Sequence, residues 1–136
     1  MGKVEAFISW SGRNYCVGNG KQIEGCIVVT DKTFEGAKAA FKEALQFHIE
    51  GMLQDGDGVP EWLQKGDYEI EFILETSALL RSCEKFTSIA AIARASGINE
   101  RQLSHYANGL KKPRPEQRKR IVDGLHKIGE EFLSVV

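Results

Sequence analysis

The spacing between apolar residues changes along this chain, and that change limits the folds available to it. Near the N-terminus, apolar and polar residues alternate, which is typical of a strand with one buried face. The apolar set there is Val4, Ala6, Ile8 and Trp10. From Phe34 onward the apolar residues recur three or four positions apart, as on one face of an α-helix. The two patterns together predict a protein that contains both strands and helices.

The first half of the chain is predicted to form a β-β-β-α-β module. The alternation and the turn residues place strands at residues 3–11, 13–17, 22–29 and 68–74, with a turn at Gly18-Asn19-Gly20. We expect the first three strands to form an antiparallel meander. The helix runs from Phe34 to about Leu53, and Thr33 is its predicted N-cap, because its hydroxyl can accept a hydrogen bond from a backbone N–H.

No strand pattern follows Glu75, and the second half is predicted to be all-helical. The predicted helices cover residues 76–85, 88–95, 100–108 and 116–133. The fold class is therefore α+β: a small module at residues 1–75, then an all-α domain at residues 76–136.

Charge is divided unequally between the halves. Residues 1–80 contain 7 Lys and Arg and 13 Asp and Glu, giving −6, whereas residues 81–136 contain 11 and 6, giving +5. Such an asymmetry favours two modules with different partners over a chance fluctuation.

Two short helices in the basic half carry the strongest functional signal. Gly97 lies between them, where a tight turn requires a positive φ angle. Asn99 is the predicted N-cap of the second helix, and Gln102 is placed to complete a capping box. If Leu103 and Tyr106 face inward, the polar residues near the helix start face outward. A recognition helix places its base-reading side chains there in the major groove of DNA.

The candidate DNA-binding residues follow from this geometry. Arg101 can pair with guanine and Gln102 with adenine, while the basic cluster after the helix can contact phosphates. Glu100 would repel phosphate unless it accepts a hydrogen bond from a cytosine amino group. The alternative is a helical bundle with a solvated polar face. The full set is Ser88, Asn99, Glu100, Arg101, Gln102, Ser104, His105, Asn108, Lys111, Lys112 and Arg114.

Residues of this region resemble the Cro/repressor type of helix-turn-helix over roughly residues 76–129. The matching positions are Ala93, Gly97, Ile98, Asn99, Leu103, Ser104, Tyr106, Asn108, Gly109 and Pro113. The resemblance implies that the domain is a dimer, or a higher even oligomer, that binds double-stranded operator DNA.

The N-terminal half resembles the HicB-type antitoxins through residues 23–26, 33–37, 48–53 and 59–60. The family usually has a proline before its Gly-Cys pair, where this chain has Ile23-Glu24. The resemblance implies a truncated ribonuclease-H-like module that neutralises a HicA-type mRNA-cleaving toxin, with repression of the shared operon by the second domain. The alternative is a plain helix-turn-helix regulator whose N-terminal module senses a ligand or oligomerises.

Enzymatic interpretations have weaker support in the sequence. A ribonuclease-H-like active site needs carboxylates that converge on two metal ions, and the spacing of Glu5, Glu24 and Asp31 does not indicate convergence. The acidic segment from Asp55 to Gly58 lacks the other ligands of a calcium loop and is better explained as the end of a helix. We therefore predict no catalytic residue, metal or cofactor. His48 lies on the apolar face of the predicted helix, and this position predicts a half-buried, hydrogen-bonded side chain.

The location expected for the chain is the cytoplasm. No apolar run approaches the length of about 18 residues that a membrane span needs, and the N-terminus shows no signal peptide. Cys16, Cys26 and Cys83 are odd in number and widely spaced, which favours reduced thiols over a disulfide framework.

Overall fold

The computed structural model describes all residues from Met1 to Val136 and shows a mixed α/β protein with a four-stranded sheet and six helices. In chain order the elements are β1 (Gly2–Trp10), β2 (Tyr15–Asn19), β3 (Val28–Asp31), α1 (Phe34–Gln54), α2 (Glu61–Gln64), β4 (Tyr68–Leu74), α3 (Thr76–Cys83), α4 (Ile89–Ser96), α5 (Glu100–Ala107) and α6 (Pro115–Leu133). None of these helices is both long enough and apolar enough to span a membrane.

The chain divides into two compact units. The first consists of Met1–Ser9 and Arg13–Glu75, and the second of Trp10–Gly12 and Thr76–Val136. The first unit contains the sheet, whose strands lie in the order β3-β2-β1-β4. Strands β2 and β3 are antiparallel, as expected, whereas β4 runs parallel to β1. A parallel neighbour needs a long crossover connection, and α1 and α2 lie between β1 and β4 in the chain.

The core of the first unit confirms the two apolar patterns. Val4, Ala6 and Ile8 on β1 are fully buried. Helix α1 packs against β2 and β3 and buries one face. The buried residues of α1 are Ala37, Phe41, Leu45, Ile49 and Met52. The Phe41 ring meets Phe72 edge-on, with 6.1 Å between ring centroids.

The prediction for the third strand is largely wrong. It was expected at residues 22–29, but β3 covers only Val28–Asp31. The side chain of Asn19 holds the preceding residues as a loop: its Nδ2 donates to the Ile23 carbonyl at 3.2 Å, and its Oδ1 accepts from the Ile27 N–H at 2.8 Å. Both isoleucines are buried. Their apolar character therefore reflects core packing of a loop and not a strand.

Two smaller differences concern the second strand and a short helix. Strand β2 is Tyr15–Asn19 instead of residues 13–17, so two residues of the expected turn belong to the strand. Helix α2 was not predicted, because its four residues are too few to show helical periodicity.

The second unit contains helices α3 to α6. Helix α4 packs against α5 and α6, and α3 packs against α5. The buried cluster consists of Leu80, Ile92, Ile98, Leu103, Tyr106, Ala107 and Ile121. The predicted inward positions of the two short helices are therefore confirmed, with Ile89 and Ala93 half-buried beside them. On α6, Leu125 and Ile128 pack against the cluster, but Phe132 is 62% exposed.

Candidate nucleic-acid interface

Helices α4 and α5 are joined by a tight turn whose ends are fixed by local hydrogen bonds. The Ser88 hydroxyl caps α4 by accepting from the Ala91 N–H at 3.1 Å. The helix ends at Gly97, which has a φ angle of +72° and donates its N–H to the Ala93 carbonyl at 2.9 Å. Glycine adopts this left-handed conformation without the steric cost that a side chain imposes. The predicted role of Gly97 is confirmed.

The start of α5 confirms one half of the predicted capping box. The Oδ1 atom of Asn99 accepts from the N–H groups of Arg101 at 2.8 Å and Gln102 at 3.2 Å. The reciprocal half is wrong, because the Gln102 side-chain amide donates instead to the Tyr106 hydroxyl at 2.7 Å. Tyr106 is only 4% exposed, and a buried hydroxyl needs a partner that a residue one turn earlier can supply. This bond uses one of the two hydrogens of the Gln102 amide nitrogen, so the other hydrogen and the Oε1 atom are the groups that a base could meet.

The first turn of α5 presents two exposed charged side chains. Glu100 and Arg101 both face solvent, whereas Leu103 and Tyr106 face the core. The expected division between outer and inner faces is therefore present. The negative charge of Glu100 also interacts favourably with the N-terminal end of the helix, which is a structural reason for an acid at this position.

The C-terminal end of α5 leads into the basic cluster. The Asn108 side chain turns back and donates to the Ser104 carbonyl at 3.0 Å, so it stabilises the helix end. Ser104 and His105 are half-buried. Lys111, Lys112 and Arg114 are exposed in the segment between α5 and α6. Of the candidate residues, Arg101 and this basic cluster are the cations that the fold places on or directly after α5.

Arg120 was not predicted, and it stabilises the α4–α5 turn. Its Nη2 atom donates to the Gly97 carbonyl at 2.9 Å, and its Nη1 atom donates to Gln117 at 3.0 Å. The first contact joins residues 23 positions apart, which no local pattern reveals. The available signal was the run Arg118-Lys119-Arg120 near the start of α6. An arginine bonded to this turn adds positive charge beside the start of α5.

Two acidic residues of the first unit, Glu5 and Asp31, have local structural partners. Glu5 accepts from the Gln22 side chain at 2.7 Å. Asp31 accepts from the backbone N–H and the hydroxyl of Thr33, both at 2.9 Å, and these bonds lower the pKa of Asp31. No group of three or more His, Cys, Asp or Glu residues is placed to hold a metal ion. Asp55 forms the C-cap of α1, as the interpretation of its segment as a helix end predicts.

His48 has the environment expected from its position on α1. The ring is half-buried, and its Nε2 atom lies 2.7 Å from the Glu24 carbonyl oxygen. Because a carbonyl can only accept, Nε2 carries the proton in this contact. The histidine therefore joins α1 to the loop before β3.

Comparison of the chain with protein-family models, with curated proteins and with solved structures found no match.

Proposed function

We propose that this protein is a DNA-binding antitoxin of the HicB type. Its residues 1–75 form a ribonuclease-H-like β-β-β-α-β module that neutralises an mRNA-cleaving toxin of the HicA type. Its residues 76–136 form a helix-turn-helix domain that binds operator DNA as a dimer and represses the operon. The protein acts in the cytoplasm as a binding protein, without a metal, a cofactor or catalysis of its own.

The geometry of α4 and α5 is the observation that supports this proposal most strongly. Two short helices meet at a left-handed glycine, the second begins at an asparagine cap, and its first turn exposes Arg101. The exposed cluster of Lys111, Lys112 and Arg114 follows the same helix. A helix of this kind can enter the major groove while cations after it contact the phosphates.

The charge of the first unit supports the toxin partner. Residues 1–75 hold all 13 acidic and all 7 basic side chains of residues 1–80, and so carry the same charge of −6. A toxin that binds mRNA needs a positively charged surface. Complementary charge would speed its association with this unit and cover the surface that RNA requires.

Co-expression tests both parts of the proposal. The full-length chain should co-purify with the protein encoded by the adjacent reading frame, block its RNA cleavage, and bind a fragment of its own promoter. If the chain binds the promoter but does not co-purify with the adjacent-frame protein, the result would favour the plain regulator. RNA cleavage by the purified chain with magnesium or manganese, abolished by Asp31→Asn, would instead identify an enzyme.

Arg101 is expected to provide sequence discrimination. Arg101→Ala should cost about 1–3 kcal/mol of binding free energy on the promoter site, because alanine cannot make the bidentate hydrogen bonds to guanine. Binding to random DNA should change little. Titrations of both DNAs measured by fluorescence anisotropy give the two free energies.

Arg94 supplies the matched control for Arg101. It is an exposed arginine on α4, and it lines a groove between α4 and α6. Arg94→Ala should leave binding of both DNAs unchanged. Equal losses on promoter and random DNA in Arg101→Ala would show that Arg101 contacts only phosphate.

The basic cluster should affect the salt dependence of binding and not its sequence preference. Removing one lysine that neutralises a phosphate should reduce the slope of log affinity against log salt by about 0.9. The double variant Lys111→Ala/Lys112→Ala should therefore flatten the slope by about 2 per subunit. Promoter titrations from about 50 to 200 mM salt measure it. An unchanged slope would place both lysines away from the DNA.

A further inference from the structure

An open groove lies on the first unit, between the C-terminal half of α1 and the loop before β3. Its volume is about 600 Å³. Phe47 lines it and is 78% exposed, Val28 lines it and is 59% exposed, and the buried Met52 contributes to the same lining. An exposed phenylalanine beside a concave surface is an unfavourable arrangement in water, and such surfaces are typical of binding sites.

The charged residues of this groove are all acidic. Glu24, Asp55 and Asp57 line it, and no lysine or arginine does. All three carboxylate residues are exposed. An apolar surface bordered by carboxylates fits a partner segment that combines an apolar side chain with lysine or arginine.

The loop that forms one wall of the groove is fixed to α1. The His48 ring bonds the Glu24 carbonyl at 2.7 Å, and Asn19 donates to the Gly25 carbonyl at 3.2 Å. Gly25 has a φ angle of +96°, and a Cβ atom there would lie 2.8 Å from the His48 ring. The loop therefore approaches α1 too closely at Gly25 for a side chain to fit without a shift of the His48 ring. A groove with fixed walls loses little conformational entropy when a partner binds.

Gly51 keeps the other wall open. It lies inside α1 and lines the groove, and a Cβ atom at this position would meet no other atom within 4 Å. Glycine inside a helix is less favourable than alanine, because glycine loses more conformational freedom on folding. A side chain here would strengthen the helix but occupy the groove.

From these features we propose that the groove is where the first unit binds its basic protein partner. An apolar side chain of the partner packs against Phe47 and Met52, and lysine or arginine side chains face Glu24, Asp55 and Asp57. The inference rests on the proposed function, since it takes the partner to be the basic protein of the adjacent reading frame. To the proposed function it adds which surface of the first unit makes the contact and which kinds of side chain take part.

Two variants of the full-length chain test the groove in different ways. Phe47→Ala removes the exposed ring, and Gly51→Lys fills the groove with a cation that repels a basic partner. Each should weaken binding of the purified adjacent-frame protein by at least about 30-fold, as truncation of a central interface residue does. Biolayer interferometry with the immobilised partner measures the dissociation constants.

Matched controls come from the second unit. Phe86 is 77% exposed, close to the exposure of Phe47. Gly129 lies inside α6, and a Cβ atom there also meets nothing within 4 Å. Phe86→Ala and Gly129→Lys should bind the partner as the unchanged chain does. Thermal unfolding should show Gly51→Lys at least as stable as the unchanged chain, so that weaker binding cannot be ascribed to unfolding.

The outcomes separate the two levels of the proposal. If the unchanged chain binds the partner and both groove variants bind equally well, the groove assignment is wrong and the antitoxin function stands. If the unchanged chain does not bind it, the proposed function fails and the assignment fails with it. A groove that joins two copies of this chain would be revealed if Gly51→Lys reduced the mass in light scattering but kept partner binding, and that result would also overturn the assignment.

Discussion

Replacing Phe41 by alanine should lower the free energy of unfolding of the first unit by about 3–5 kcal/mol. Phe41 is fully buried and is among the largest such side chains in the chain. Its ring lies on the face of α1 that packs against the sheet and makes an edge contact with Phe72. Removing the ring loses the free energy gained by transferring it from water to the core. It also leaves a cavity that a helix packed on a sheet cannot easily close. Domains of this size are stable by only about 5–15 kcal/mol, so the loss would be a large fraction of the total.

The tryptophans allow this loss to be measured in the first unit. Trp62 belongs to this unit and contacts Tyr68, with 6.3 Å between ring centroids. In a Trp10→Phe background, urea unfolding followed by Trp62 fluorescence should show the lower midpoint. Phe47→Ala in the same background is the control, because that side chain is 78% exposed and packs little. A loss below about 1 kcal/mol for Phe41→Ala would contradict the packing described for α1.

The elements that sequence patterns predicted well are those whose burial has a regular period. Strand β1 and helix α1 each bury one face, so their apolar residues repeat every two residues or every three to four. The prediction of the third strand failed because the burial of Ile23 and Ile27 depends on the side chain of Asn19, which forms hydrogen bonds across the loop. A polar side chain that organises a loop has no period, and its partners cannot be read from spacing.

The candidate interface shows the same limit at the level of single side chains. Gly97 and Asn99 were predicted correctly because a turn and a helix start require particular residue types at fixed positions. The Gln102 side chain donates to the Tyr106 hydroxyl, and Tyr106 is buried in the core, so this contact depends on tertiary packing that the spacing of residues does not reveal. Arg120 reaches the turn from another helix, so its role depends on tertiary packing.

Leu103→Ala should lower the free energy of unfolding of the second unit by about 2–5 kcal/mol. Leu103 is fully buried and belongs to the cluster shared by the helices of this unit. It lies on α5 directly after Arg101 and Gln102, so the packing of this side chain holds the first turn of α5 in place. We therefore expect promoter binding to fall with stability, and to recover in part when the variant is cooled within its folded range.

Trp10 reports on this unit. It is 9% exposed, the Arg81 guanidinium lies 4.5 Å from its ring centroid, and its backbone N–H donates to the Ser77 hydroxyl at 2.8 Å. Urea unfolding in a Trp62→Phe background should show a lower midpoint for Leu103→Ala. Leu110→Ala, at a leucine that is 72% exposed, should leave the midpoint unchanged. If Leu103→Ala kept full stability but did not bind the promoter, Leu103 would have to contact the DNA directly. That result would contradict its complete burial in the core.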